Sequence, residues 1–174
     1  MNRLIVLLRG VNVSGHNKVP MAELRSVLDA AGFTNAKTYI QSGNIALDTD
    51  DDPGIVTEQV ARLLVDNFGV DVPVASIAQA DVAGLLAAAP FDPEGNPSHQ
   101  LIYFPAGPVD VDGVAAIDRA KFGGDIITGA TNAVYVAYDG GQSASKLTLA
   151  VLERAAGTNL TGRNLRSATK LTDL

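Results

Sequence analysis

The predicted secondary structure of this chain repeats one order of elements, β-α-β-β-α-β, and this repeat limits the fold more than any single motif does. In the first half, the apolar periodicity and the turn residues predict strands at 3–9, 36–41, 44–48 and 71–76 and helices at 20–31 and 54–68. In the second half, they predict strands at 99–104, 125–130 and 133–138, a short extended piece at 159–163, and helices at 112–121 and 144–156. A linker helix at 79–88 and a terminal helix at 165–172 complete the assignment.

This element order is that of the ferredoxin-like split unit, also called the alpha-beta plait. Residues at the helix ends agree with it: Pro20 suits a first helical turn, Gly32 suits a helix end, and Ser143 suits an N-cap. We therefore expect an α+β fold of two ferredoxin-like units packed into one compact body. The first unit would span residues 1–78, and the second, with the linker and terminal helices, residues 79–174.

Composition excludes several classes of function. Apolar residues make up 47% of the chain and charged residues 18%, which is typical of a globular protein. The net charge of −6 argues against broad nucleic-acid binding, which depends on Lys and Arg neutralising phosphates. With no cysteine and two histidines, the chain gives no reason to expect a disulfide, a metal site or a cofactor. Only five apolar residues separate Arg3 from Arg9, too few for a signal peptide or a membrane span, so we expect a cytoplasmic protein.

The loop after the first strand is the first candidate site. It carries the cations Arg9 and Lys18, the amides Asn12 and Asn17, and Gly10, which would let a ligand approach the backbone. The loop leads to a helix N-terminus, where unpaired N–H groups attract anions, so the pattern predicts a cradle for a small anionic ligand. The alternative is that the two asparagines only satisfy the backbone of their own loop.

The turn between the second and third strands adds three candidate ligand-binding residues, Gln41, Ser42 and Asn44. Gly43 alone explains the turn, so Ser42 can equally be a turn residue. No Gly-x-Ser-x-Gly sequence surrounds Ser42, and no acid–histidine pair can be assigned to it. The sequence therefore assigns no catalytic residue.

The C-terminal region contributes Lys146, Arg163 and Asn164. Helix capping explains Asn164 but neither of the two cations. If the two halves packed with these residues facing the first loop, Lys146 and Arg163 would line one anion pocket together with Arg9 and Lys18.

Several segments also resemble the bacterial family known as domain of unknown function 1697. The matching motifs are Leu8-Arg9-Gly10-Val11-Asn12-Val13, Asn17-Lys18-Val19-Pro20-Met21 with Glu23-Leu24-Arg25, Tyr39-Ile40-Gln41-Ser42-Gly43-Asn44, Pro90-Phe91, Ser145-Lys146-Leu147 and Arg163-Asn164. The resemblance implies two ferredoxin-like units and implies no activity. The chain departs from the family pattern around its Arg-Asn pair, where Gly162, Leu165 and Ser167 replace the usual Thr, Trp and Thr.

Four functions fit the sequence to different degrees. The first is binding of a small phosphate- or carboxylate-bearing ligand at the first loop. The second is an acylphosphatase-like hydrolase, in which Arg9 or Lys18 would orient the phosphate and Asn44 would position water; its basis is fold analogy. The third is RNA binding, against which the acidic charge and the lack of aromatics on strands 3–9 and 44–48 argue. The fourth is a protein-interaction module, and the sequence does not address oligomeric state.

Overall fold

The computed structural model describes residues 1–174 and shows a mixed α+β protein with two four-stranded antiparallel sheets and six α-helices. The chain divides into two compact units: unit 1 contains residues 1–83 and 171–174, and unit 2 contains residues 84–170. The predicted division into 1–78 and 79–174 differs from this one at the start of the linker helix and in residues 171–174.

Unit 1 begins with the first β-α-β-β-α-β series. Its elements are β1 (Asn2–Leu8), α1 (Met21–Ala30), β2 (Thr34–Tyr39), β3 (Asn44–Thr49), α2 (Pro53–Phe68) and β4 (Val74–Ala78), followed by α3 (Gln79–Ala88), which continues into unit 2. The strand order is β2-β3-β1-β4, and every neighbouring pair is antiparallel. The loop after β1, the start of α1 and the turn between β2 and β3 therefore lie at the same end of the sheet.

The core of unit 1 forms where both long helices pack on one face of this sheet. Each helix and the central strand β1 contribute to this core three large apolar side chains at helical or alternating spacing: Met21, Leu24 and Leu28; Val56, Val60 and Leu64; and Leu4, Val6 and Leu8. Each such side chain contributes roughly 1.5–3 kcal/mol when it leaves water. This packing holds the start of α1 in a fixed place against the sheet.

Unit 2 repeats the series. Its elements are β5 (Gln100–Pro105), α4 (Val111–Ala115), β6 (Ile126–Ala130), β7 (Ala133–Ala137), α5 (Leu149–Ala156), β8 (Leu160–Asn164) and α6 (Leu165–Lys170). The strand order is β6-β7-β5-β8, again fully antiparallel. None of the helices in the protein combines the length and the apolar character needed to cross a membrane.

Three predicted elements need correction. The strand predicted at 71–76 begins only at Val74, because the preceding residue, Pro73, has no N–H to donate to a ladder. The helix predicted at 112–121 ends at Ala115, and a separate 3-10 turn follows at Arg119–Phe122. Asp118 separates the two pieces, since its side chain accepts a hydrogen bond from the Ala120 N–H at 3.3 Å.

The helix predicted at 144–156 is also shorter and starts at Leu149. Its N-cap is Thr148, whose hydroxyl accepts from the Val151 N–H, so the prediction of Ser143 as N-cap was wrong. Ser143 lies in a 3-10 turn at Gln142–Ala144 instead.

Candidate functional site

The loop after β1 folds back on itself instead of forming an open cradle. Residues 12–17 make a small hairpin, in which the Asn12 N–H donates to the Asn17 carbonyl at 3.0 Å. Ser14 and Gly15 form its tip with φ angles of 49° and 80°. Two positive φ angles are what a type I′ turn requires. The loop is therefore a defined structure whose tip is exposed.

The side chain of Asn12 fixes this hairpin to the neighbouring turn. Its Nδ2 donates to the carbonyls of Val19 and Gln41, both at 2.9 Å, and its Oδ1 accepts from the Val19 N–H at 2.9 Å. Asn17 acts locally, since its Nδ2 donates to the Gly10 carbonyl at 3.0 Å. Both side-chain amides thus bond to backbone groups, Asn17 within its own loop and Asn12 also to the turn between β2 and β3.

The turn between β2 and β3 is equally well braced. Asn44 is fully buried, and its Nδ2 donates to the Tyr39 carbonyl at 3.1 Å and to the Ser42 Oγ at 3.0 Å. Gly43 has a φ of 78°, and a Cβ there would lie 2.6 Å from the Leu8 Cβ. Asn44 and Gly43 therefore support the turn from within.

The side chains that face solvent at this end are different ones. Lys18 and Gln41 are exposed, and no hydrogen bond or ion pair within the protein engages either side chain. Arg9 is partly buried, and its backbone N–H donates to the Pro73 carbonyl at 3.1 Å. Of the predicted residues in unit 1, Lys18 and Gln41 have the side chains best placed to meet a ligand.

A groove of about 570 Å³ lies between the start of α1 and the end of β2. It is lined by Pro20, Met21, Ala22, Arg25, Thr38, Ile40 and Gln41. Arg25 crosses from the helix to the strand, with its Nη1 donating to the Thr38 Oγ1 at 2.6 Å.

Sequence reasoning found Gln41 but did not assign Arg25 or Thr38 to the site. Arg25 follows Met21 by four residues, so the two lie on the same face of α1, and this spacing is a signal that could have found it. No sequence signal pairs Arg25 with Thr38, because that contact depends on how α1 packs against β2.

Backbone strain is concentrated in the two loops at this end. Of five non-glycine residues with positive φ, four lie here: Asn12, Ser14, Asn17 and Ile40. Ile40 is the most unusual, because a β-branched residue rarely takes a φ such as its 51°, and its side chain is 51% exposed. Strain of this kind persists where surrounding contacts enforce it, and it clusters at functional sites.

The remaining predicted residues belong to unit 2. Asn164 caps α6 as predicted, since its Oδ1 accepts from the Ser167 N–H at 2.9 Å. Arg163 donates from Nη1 to the Gly162 carbonyl at 2.9 Å, and burial lowers the pKa of its guanidinium to about 10. Lys146 is exposed in the segment before α5.

Two further observations concern what the protein could bind. Tyr103 and Tyr135 lie on the central strands of unit 2 and are buried; the Tyr103 and Tyr138 hydroxyls are 2.6 Å apart, and Tyr135 Oη donates to the Leu85 carbonyl at 3.0 Å. These rings pack in the core and present no face for stacking a base. No three His, Asp or Glu side chains come together in a way that could hold a metal ion.

The family model described as "Protein of unknown function (DUF1697)" matches residues 1–135, so the chain belongs to this family. The sequence resemblance is confirmed over that range. Among solved structures, the chain is similar to the conserved bacterial protein SP0830 from Streptococcus pneumoniae, with 22% sequence identity and a TM-score of 0.73. The alignment covers 99% of this chain and 97% of that one, and at this identity it shows a shared fold alone. No curated protein matches the sequence at a significant level.

Proposed function

We propose that this member of the DUF1697 family binds a small anionic ligand, bearing a phosphate or a carboxylate, in the groove at the start of α1. The observation that carries the proposal is the position of Arg25, which lines the groove one turn after the start of α1 and whose guanidinium bonds to Thr38 in the facing strand. Guanidinium groups and the unpaired N–H groups of a helix N-terminus both favour negative charge. The first turn offers those N–H groups, because Pro20 provides no side-chain cap.

We also propose that each unit is a ferredoxin-like fold, a name that the strand orders and the two β-α-β-β-α-β series support. In such a unit the first loop, the first helix N-terminus and the second turn share one end of the sheet. That placement brings the sequence-predicted loop and the groove together.

The predicted ligand residues of unit 1 take two roles in this proposal. Gln41 lines the groove, and Lys18 and Arg9 add positive charge at the same end of the sheet. Asn12, Asn17 and Asn44, with Gly10 and Ser42, hold the backbone of the two loops. Lys146, Arg163 and Asn164 belong to unit 2, and binding at the groove does not depend on them.

Binding without hydrolysis is the form we propose. The hydrolase alternative needs Asn44 to position an attacking water, but this side chain is fully buried, and its amide donates to protein oxygens. A buried, satisfied amide is not available to a water in the groove.

Thermal unfolding with inorganic phosphate, nucleotides, sugar phosphates and carboxylates tests the proposal. A ligand at a hundred times its dissociation constant adds about 2.7 kcal/mol, which should raise the Tm by roughly 5–10 °C for a chain of this size. We expect Arg25→Gln to abolish the shift and Arg62→Gln, an exposed arginine on α2, to leave it unchanged.

Thr38→Val distinguishes the effect of the Arg25 charge on binding from the effect of its hydrogen bond to Thr38. The variant removes that hydrogen bond but keeps the positive charge. We expect this variant to keep most of the shift. An equal shift in wild type and Arg25→Gln, or no shift with any anion, would overturn the proposal.

A further inference from the structure

Unit 2 contains a cavity of about 350 Å³, lined only by its own residues, that the proposed anion groove does not involve. Its walls are the segments 121–125 and 139–146, which precede β6 and follow β7. The volume falls in the range of small-molecule sites.

Two carboxylates and two ammonium groups line this cavity, yet no ion pair joins them to one another. Lys121 pairs instead with Asp118, at 3.5 Å and with both side chains exposed. Lys146 and Asp139 are exposed and take part in no ion pair. Opposite charges are therefore held around one space without neutralising each other.

The buried carboxylate in the wall is held rigidly. Asp125 accepts from the Ser145 hydroxyl at one oxygen and from the Asp139 N–H, at 3.0 Å, at the other. The Ser145 Oγ in turn accepts from the Leu147 N–H at 2.9 Å. This network fixes the position of the carboxylate and the course of the segment that carries Lys146.

Gly124, next to Asp125 in the same wall, lets the Asp139 side chain lie close to the backbone. A Cβ on Gly124 would lie 2.9 Å from the Asp139 Cγ, so a larger residue there would force that carboxylate to move. Gly123 and Gly140 also line the cavity and expose backbone there.

We propose that this cavity binds a small zwitterion, with an ammonium group at the Asp125 and Asp139 carboxylates and a carboxylate at Lys121 and Lys146. A ligand with a single charge would meet one pair of groups and leave the other pair facing solvent. A zwitterion of matching length meets both, and each interaction gains from the displacement of water from the cavity.

Nuclear magnetic resonance titration of the full chain tests this assignment. The probes are glycine, β-alanine and their longer straight-chain homologues, each paired with the alkylamine and the alkyl carboxylate of equal length. At roughly 10 mM, a probe saturates a site whose dissociation constant is below a millimolar. We expect saturable shifts in the amides of residues 121–125 and 139–146 with one zwitterion, and at least tenfold weaker binding of its two singly charged partners.

Charge-removing variants locate the two ends of the ligand. Asp139→Asn and Lys146→Gln are both at exposed positions, so they should fold normally, and each should weaken zwitterion binding at least tenfold. Asp112→Asn and Lys170→Gln change exposed residues outside the cavity, so they should leave zwitterion binding unchanged. The proposal would be overturned if no probe gave saturable shifts. It would also be overturned if the Asp139→Asn and Lys146→Gln variants bound the zwitterion as tightly as wild type does. Arg25→Gln in unit 1 leaves this cavity intact, so the two proposals fail or hold separately.

Discussion

In unit 1, several polar side chains at the sheet end that carries the loop after β1 were predicted to bind a ligand. The structure shows that some of them support the loop instead. The side-chain amide of Asn12 makes hydrogen bonds to the backbone of two loops, and the side chain of Asn44 is buried beneath the turn between β2 and β3. Donor-rich loops therefore divide into residues that hold the loop and residues that face solvent. Burial and hydrogen-bond partners decide which is which.

The close packing of the turn against β1 can be tested by replacing Gly43 with alanine and comparing the result with Gly10→Ala. Both have positive φ, 78° and 69°, so alanine strains either backbone by about 1–2 kcal/mol. A Cβ at Gly43 would also lie 2.6 Å from the Leu8 Cβ, whereas nothing lies within 4 Å at Gly10. Overpacking should cost Gly43→Ala about 1–3 kcal/mol more of the free energy of unfolding than Gly10→Ala.

Chemical denaturation of the two alanine variants measures that difference. Equal losses would show that the close approach of the turn to Leu8 does not constrain the fold.

Secondary-structure elements followed from the sequence where their apolar residues recur with a regular period. Strands β1 and β3 and helices α1 and α2 were placed to within two residues at each end, because their buried faces repeat clearly. The segment at 159–163 was predicted only as a short extended piece, since Thr161, Gly162 and Arg163 give no alternation; it is strand β8, which pairs with β5. Helix α4 was predicted too long, because Asp118 supports a new turn.

Asp48 on β3 accepts hydrogen bonds from side chains on both neighbouring strands, β2 and β1. These bonds lead to a prediction about how stability depends on pH. A hydrogen bond from Asn35 Nδ2 and then one from Arg3 Nη1, both 2.7 Å, hold the pKa of Asp48 below its ordinary value of 3.8. Because the folded pKa is below the unfolded one, the stability that Asp48 contributes is present above the unfolded pKa. It is lost as the pH falls through the folded pKa.

Asn35→Gly removes the larger of these causes and suits the positive φ of 52° at that position. We expect the titration midpoint of the Asp48 carboxyl to rise in this variant, as followed by carbon chemical shifts. An unchanged midpoint would contradict the role given to Asn35.

At the scale of the whole molecule, the doubled element order was the strongest prediction, and the structure shows it as two four-stranded antiparallel sheets. The site could be predicted only in part. Loop and turn were found because glycines and polar residues mark them in the sequence. Arg25 with Thr38, and the charged cavity of unit 2, depend on contacts between elements, which local patterns do not encode.

We propose above all that an anion binds at the start of α1. The most direct test is a titration of the full chain with inorganic phosphate, followed by the backbone amides of residues 21–25 and 38–41 and by the Arg25 Nε–H. We predict saturable shifts in these signals, absent in Arg25→Gln and retained in Arg62→Gln. Shifts of equal size in Arg25→Gln, or shifts confined to other parts of the chain, would contradict the claim.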